Sequence, residues 1–154
     1  MFKHDHDASI AAFEKAIALN PNYVGWHFGA ALVFAGEFRR AIEVLDAYMR
    51  LDPFHAPLGV LGLAHYMLKQ YSRALPVLRD CISRAPNIRA VHVWLAATHA
   101  QLGQLNEARV EVAEVLRLQA NFTITGTARR IASFKRPKDD RHFFDGLRKA
   151  GLPE

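Results

Sequence analysis

Apolar residues at positions 38, 41, 42, 45, 48 and 49 recur every three or four residues. That spacing places them on one face of a helix over 38–51. The same periodicity predicts helices over 8–19, 22–35, 55–68, 71–84, 88–102 and 105–118. No alternation of apolar and polar residues is sustained as a strand would require, so the chain reads as all-α.

The pattern also repeats. Ala41, Ala74 and Ala108 stand in similar frames, Glu37-Phe38-Arg39-Arg40-Ala41, Gln70-Tyr71-Ser72-Arg73-Ala74 and Gln104-Leu105-Asn106-Glu107-Ala108, with Ala spacings of 33 and 34. Twelve residues before them come Gly29, Gly62 and Ala96, each behind a large apolar residue; twelve residues after come Pro53, Pro86 and Ala120. The frame reaches upstream: Ser9, Phe13 and Ala16 occupy the positions of Ala41, Leu45 and Tyr48, and Pro21 precedes Pro53 by 32 residues. A repeat of this length is one supersecondary unit that stacks on its neighbours. A small residue in the first helix lets the second approach, Ala in the second keeps the crossing tight, and Pro stops the helix.

This grammar resembles the tetratricopeptide repeat family over residues 8–120, about three and a half repeats. The resemblance implies a right-handed solenoid of antiparallel helix pairs: a helix over 8–19 lacking its first partner, then repeats over about 22–53, 54–86 and 88–120. Lys69 departs from the family's usual turn Gly, Ala120 from the closing Pro, and His65 and His99 from an interior Tyr.

Residues 121–154 leave the period but remain helical in pattern. Thr123 is placed to cap a helix running to Phe134, with Pro137 ending it; Asp139-Asp140 then open a last helix whose apolar stripe is Phe143, Phe144, Leu147 and Ala150, and Gly151 follows as its C-terminal glycine. A solenoid exposes the apolar face of its last repeat unless something covers it, so 121–154 is expected to cap it. Asn121-Phe122-Thr123-Ile124 and the run from Phe143 to Glu154 also resemble the ends of bacterial multidomain regulators, in which such repeats follow a class III adenylate/guanylate cyclase or a DNA-binding domain. That resemblance implies that Glu154 is a natural C-terminus and that the chain is the end, or a shortened relative, of a longer regulator.

Composition narrows the function. The chain has 154 residues, of which 51% are hydrophobic and 23% charged, a globular balance that can bury about 70% of the unfolded surface. Its single cysteine, Cys81, makes no internal disulfide and fits a reducing, cytoplasmic setting. There is no apolar run of membrane-spanning length and no apolar signal core. The net charge of +5 gathers at the end, where residues 121–154 hold 8 Lys and Arg against 4 Asp and Glu. Arg129, Arg130, Lys135, Arg136 and Lys138 have no interleaved aromatic face for stacking bases, which argues against nucleic acid. No phosphate loop, dinucleotide fingerprint, nucleophile elbow or metalloprotease motif occurs, so neither catalysis nor a metal or other cofactor is expected. His4 and His6 form a poor metal pair at a terminus. His65, His92 and His99 are expected to pack between helices with no carboxylate nearby.

What the repeat resemblance does imply is an inner, concave face lined by first helices, with Tyr23, Trp26, Ala30, Val33 and Phe34, then Ala56, Gly59, Leu63, Tyr66 and Met67, then Ala90, Val93, Ala97, Ala100 and Gln101. It holds no Lys, Arg or Asn to grip a carboxylate terminus. The expected function is a non-enzymatic protein-interaction scaffold in bacterial signalling that receives an apolar or amphipathic segment there. The alternative is a structural element that self-assembles through its open N-terminal end, using Ile10, Phe13 and Ile17.

Overall fold

A computed structural model describes residues 5–21, 25–55 and 57–154, and every regular element among them is helical. In chain order these are α1 (His6–Leu19), α2 (Trp26–Ala35), α3 (Phe38–Leu51), a 3-10 turn (Pro53–His55), α4 (Leu58–Met67), α5 (Tyr71–Arg84), α6 (Arg89–Gln101), α7 (Leu105–Leu118), a π-turn (Ile124–Ala128), α8 (Arg129–Ile131) and α9 (Pro137–Ala150). The helices α2/α3, α4/α5 and α6/α7 pack as antiparallel pairs; α1 packs on α2, and α3 on α4 and α5 on α6 join successive pairs. The result is an all-α solenoid.

Side-chain volume sets the spacing within each pair. A Cβ on Gly29 would lie 2.5 Å from Leu45 Cδ2, and one on Gly62 would lie 2.4 Å from Leu78 Cδ2. The Leu therefore fills the hole where glycine has no side chain. In the third pair the first-helix residue gains a methyl, as Ala96, and the position equivalent to Leu45 and Leu78 shrinks to Val112, which packs against the cluster of Ala96, Ala100, Ala108 and Ala150. The volume of the contact is conserved while its two halves trade a carbon.

The turn after each first helix closes with a backbone bond back to the helix: Glu37 N–H to Leu32 O, Gln70 N–H to His65 O and Gln104 N–H to His99 O, each 2.9 Å. In the second and third repeats the side chains repeat the link, His65 Nδ1 to Gln70 Oε1 at 2.8 Å and His99 Nδ1 to Gln104 Oε1 at 2.7 Å. These two histidines tie helix to turn. His92 differs from expectation. It is buried, and its Nδ1 stands 2.6 Å from Glu111 Oε2 on α7 while Nε2 faces Pro86 O at 2.7 Å. The helical repeat did place a carboxylate beside it, because the α6/α7 crossing brings positions 92 and 111 together.

The C-terminal segment also differs locally. Thr123 caps as expected, accepting from Gly126 N–H at 2.9 Å, but a five-residue π-turn and the short α8 replace a continuous helix. Pro137 does not end a helix; it stands in the first turn of α9, where its missing N–H and fixed φ are favourable. Gly151 ends α9 in left-handed backbone at φ +94°.

Candidate functional site

The face lined by α2, α4 and α6 is the one expected from the sequence to receive a partner. In this structure its C-terminal half is filled by the chain itself. After α7, Phe122 is buried with the Arg89 guanidinium 6.0 Å from its ring centroid. The chain then travels back toward the first repeat. Lys135 N–H donates to Phe34 O at 2.8 Å, and Lys135 Nζ meets Asp7 of α1 at 2.6 Å. Arg136 Nη2 donates to Gly36 O at 2.7 Å, and Phe134 lies 5.3 Å from Phe34. From there α9 returns along α4 to α6 and α7.

Tyr66 is the centre of that contact. It is 1% exposed. His142 of α9 stacks on its ring at 4.9 Å and 9°, and Phe143 meets it edge-on at 6.4 Å. Gln101 Nε2 donates to Tyr66 Oη at 3.2 Å, and Tyr71 Oη lies 2.8 Å from His142 Nε2. Gly146, one turn beyond His142, presses its backbone against the Tyr66 hydroxyl: a Cβ there would lie 1.9 Å from Oη. Phe143, Phe144 and Leu147 are buried, and the Arg129 guanidinium sits 4.5 Å from the Phe144 ring centroid. The π-turn is tied to the chain's end by Ile124 N–H to Pro153 O at 2.8 Å.

This burial shifts the local proton equilibria. Desolvation pushes the Tyr66 hydroxyl well above the usual phenol range, with Gln101 opposing it, and also raises Tyr71. Burial, and then the nearby Lys69 charge, hold His142 below its ordinary value, with Asp139 and Asp145 opposing them. Desolvation pushes the Cys81 thiol up, which favours the unreactive protonated form.

The residues expected to receive a partner fall into two groups. Val33, Leu63, Tyr66, Met67, Val93 and Ala97 are buried within the chain, whereas Trp26, Ala30, Phe34 and Gln101 remain half-buried. Trp26 stacks on His27 at 3.9 Å. Tyr23 and Ala56 lie outside the described residues. At the N-terminal end Ile10 is buried, Phe13 and Ile17 are half-buried, and Phe13 lies 5.6 Å from Phe28. Of the basic C-terminal residues, Arg129 covers Phe144, Lys135 pairs with Asp7 and Arg136 with Asp139. Among the described residues no group of three or more metal-ligating side chains gathers, and no helix is long and apolar enough to cross a membrane.

His142 and Gly146 were not singled out by sequence reasoning. A glycine in the middle of a strongly patterned helix is the signal that was available, since it marks a close approach.

Residues 1–56 and 30–87 match one tetratricopeptide repeat model, and residues 65–123 match another. The fold is similar to that of several solved structures. One is MamA 41-end from Desulfovibrio magneticus RS-1, at 19% identity and TM-score 0.68, covering 95% of this chain and 86% of that one. Another is TTC0263, a thermophilic TPR protein of Thermus thermophilus, at 19% identity and TM-score 0.68, covering 95% and 75%. A third is YrrB, described as a TPR protein with an unusual peptide-binding site, at 19% identity and TM-score 0.57, covering 95% and 76%. No curated protein matches the chain.

Proposed function

The chain belongs to the tetratricopeptide repeat family, and we propose that it is a non-enzymatic interaction scaffold whose inner face receives an amphipathic helical segment of a protein partner. The observation that carries this reading is α9 itself. The face already accommodates an amphipathic helix, with Phe143 set edge-on to Tyr66 and a glycine where the backbones come closest. The proposed docking area is what α9 leaves open, around Trp26, Ala30 and Phe34. Trp is among the residue types that most often dominate interface energetics, and the small Ala30 beside it leaves room for a helix.

The proposed setting is a cytoplasmic bacterial signalling assembly, which the resemblance of residues 121–124 and 143–154 to the ends of multidomain regulators supports. Assembly of copies through α1 has less to work with, because Ile10 is already covered by the chain.

A photoreactive residue at position 26 or 30, with one at the exposed Arg79 of α5 as a control, tests the reading. Crosslinking from positions 26 and 30 identifies the partner. Trp26→Ala then weakens its binding by about 1 kcal/mol or more, with weak salt dependence because few charges meet there. Crosslinks confined to position 79, or an affinity untouched by Trp26→Ala, refute it.

A further inference from the structure

The three turns that join first to second helices each use left-handed backbone, at Gly36 with φ +88°, Lys69 with φ +59° and Gly103 with φ +75°. Glycine enters that region freely, whereas a lysine does so against the clash of its own Cβ. Only the middle repeat accepts that strain, and the side chain it keeps borders a cavity of about 340 Å³ between the α4–α5 turn and the start of α9.

The cavity pairs an apolar wall with a net positive charge, three cations against one carboxylate. Phe38, Met67 and Leu68 supply apolar wall; Lys69, Arg136 and Lys138 supply positive charge. Arg136 is held in place. Its guanidinium lies 5.5 Å from the Phe38 ring centroid, Nε donates to Asp139 Oδ2 at 2.7 Å and Nη2 to Gly36 O at 2.7 Å, leaving Nη1 without an acceptor among the described residues. Asp139 is the one acidic residue of the lining, and Arg136 already occupies it. Neither Lys69 nor Lys138 pairs with a carboxylate among the described residues. His142 completes the lining.

We propose that this cavity binds a small phosphate monoester carrying an apolar substituent, with Lys69, Lys138 and Arg136 on the phosphate oxygens and Phe38, Met67 and Leu68 against the substituent. Three separate cations suit an anion with three terminal oxygens better than a carboxylate with two. The apolar wall distinguishes an organic phosphate from the inorganic ion. This site is separate from the open end of the groove, so its failure leaves the scaffold reading intact, and the reverse also holds.

The test is a titration of the full chain followed by amide chemical shifts, using phenyl phosphate, inorganic phosphate, benzoate and benzyl alcohol at constant ionic strength. Phenyl phosphate is expected to saturate below about 10 mM, to shift residues around 69, 138 and 142, and to bind more tightly than the other three. Lys69→Gly removes the ammonium while giving the turn its favoured residue, so the fold persists and binding weakens about tenfold or more. Lys138→Ala acts in the same direction, and Lys149→Ala, at the far end of α9, leaves binding unchanged. Absence of saturable shifts overturns the proposal, as does binding indifferent to both Lys69→Gly and Lys138→Ala. Benzoate binding as tightly as phenyl phosphate overturns the assignment to phosphate.

Discussion

Replacing Gly146 by alanine sets two effects of opposite sign against each other. In an unobstructed helix interior Gly→Ala stabilises by about 1 kcal/mol, because glycine loses more backbone entropy on folding. At position 146 the new Cβ would stand 1.9 Å from Tyr66 Oη, 3.2 Å from its Cζ and 3.3 Å from Gln101 Nε2. The ring has no room to withdraw: it is buried, stacked under His142, and bonded through its hydroxyl to Gln101. Over-packing of this kind costs about 1–3 kcal/mol, so Gly146→Ala is expected to destabilise on balance. Tyr66→Phe deletes the obstructing oxygen, at the cost of leaving Gln101 without that acceptor. In the Tyr66→Phe background the same Gly146→Ala change is then expected to cost clearly less, because the 1.9 Å overlap is gone and only the approaches of 3.2 Å and 3.3 Å remain, a coupling of about 1–2 kcal/mol. Urea denaturation of the parent, both single variants and the double variant, followed by circular dichroism with the slopes compared, measures it. If Gly146→Ala alone stabilises the chain, as at a solvent-facing site, the contact between α9 and Tyr66 is not what the structure describes.

Two further outcomes can be checked. Gly62→Ala should destabilise, because its Cβ meets Leu78, and Leu78→Val should recover part of that loss by converting the pair into the Ala96/Val112 arrangement of the next repeat; melting temperatures of the three variants decide it. The depressed His142 pKa means that the unfolded chain takes up this proton more readily than the folded one. Its contribution is therefore complete above the ordinary histidine value and declines as pH falls below about 6.5. The melting-temperature difference between the parent and His142→Gln is expected to shrink from pH 7 to pH 5, and a constant difference would refute it.

The sequence alone determined the repeat and most of its internal packing. Gly29, Gly62 and Ala96, the paired helices they separate, and the turns at Gly36 and Gly103 are all local consequences of a period of 33 or 34 residues, so one repeat predicts the next. Even Lys69 was legible as a departure, because the period says which residue belongs there. What only the tertiary structure decided is the path of residues 121–154. That segment has no internal copy to set its register, and its amphipathic stripe says that a face must be buried without saying against what. Its partners lie far back in the chain: Tyr66 is 76 residues from His142, and Asp7 is 128 from Lys135. Periodicity carries no information across such separations, since these contacts depend on where the solenoid has already placed α1, α2 and α4. The close approach at Gly146, the half-buried histidine at 142 and the cavity beside Lys69 all arise from that placement. A reading confined to the repeat treats the inner face as open, whereas burial of Phe143, Phe144 and Leu147 brings α9 onto it and leaves Trp26 and Ala30 at its accessible end.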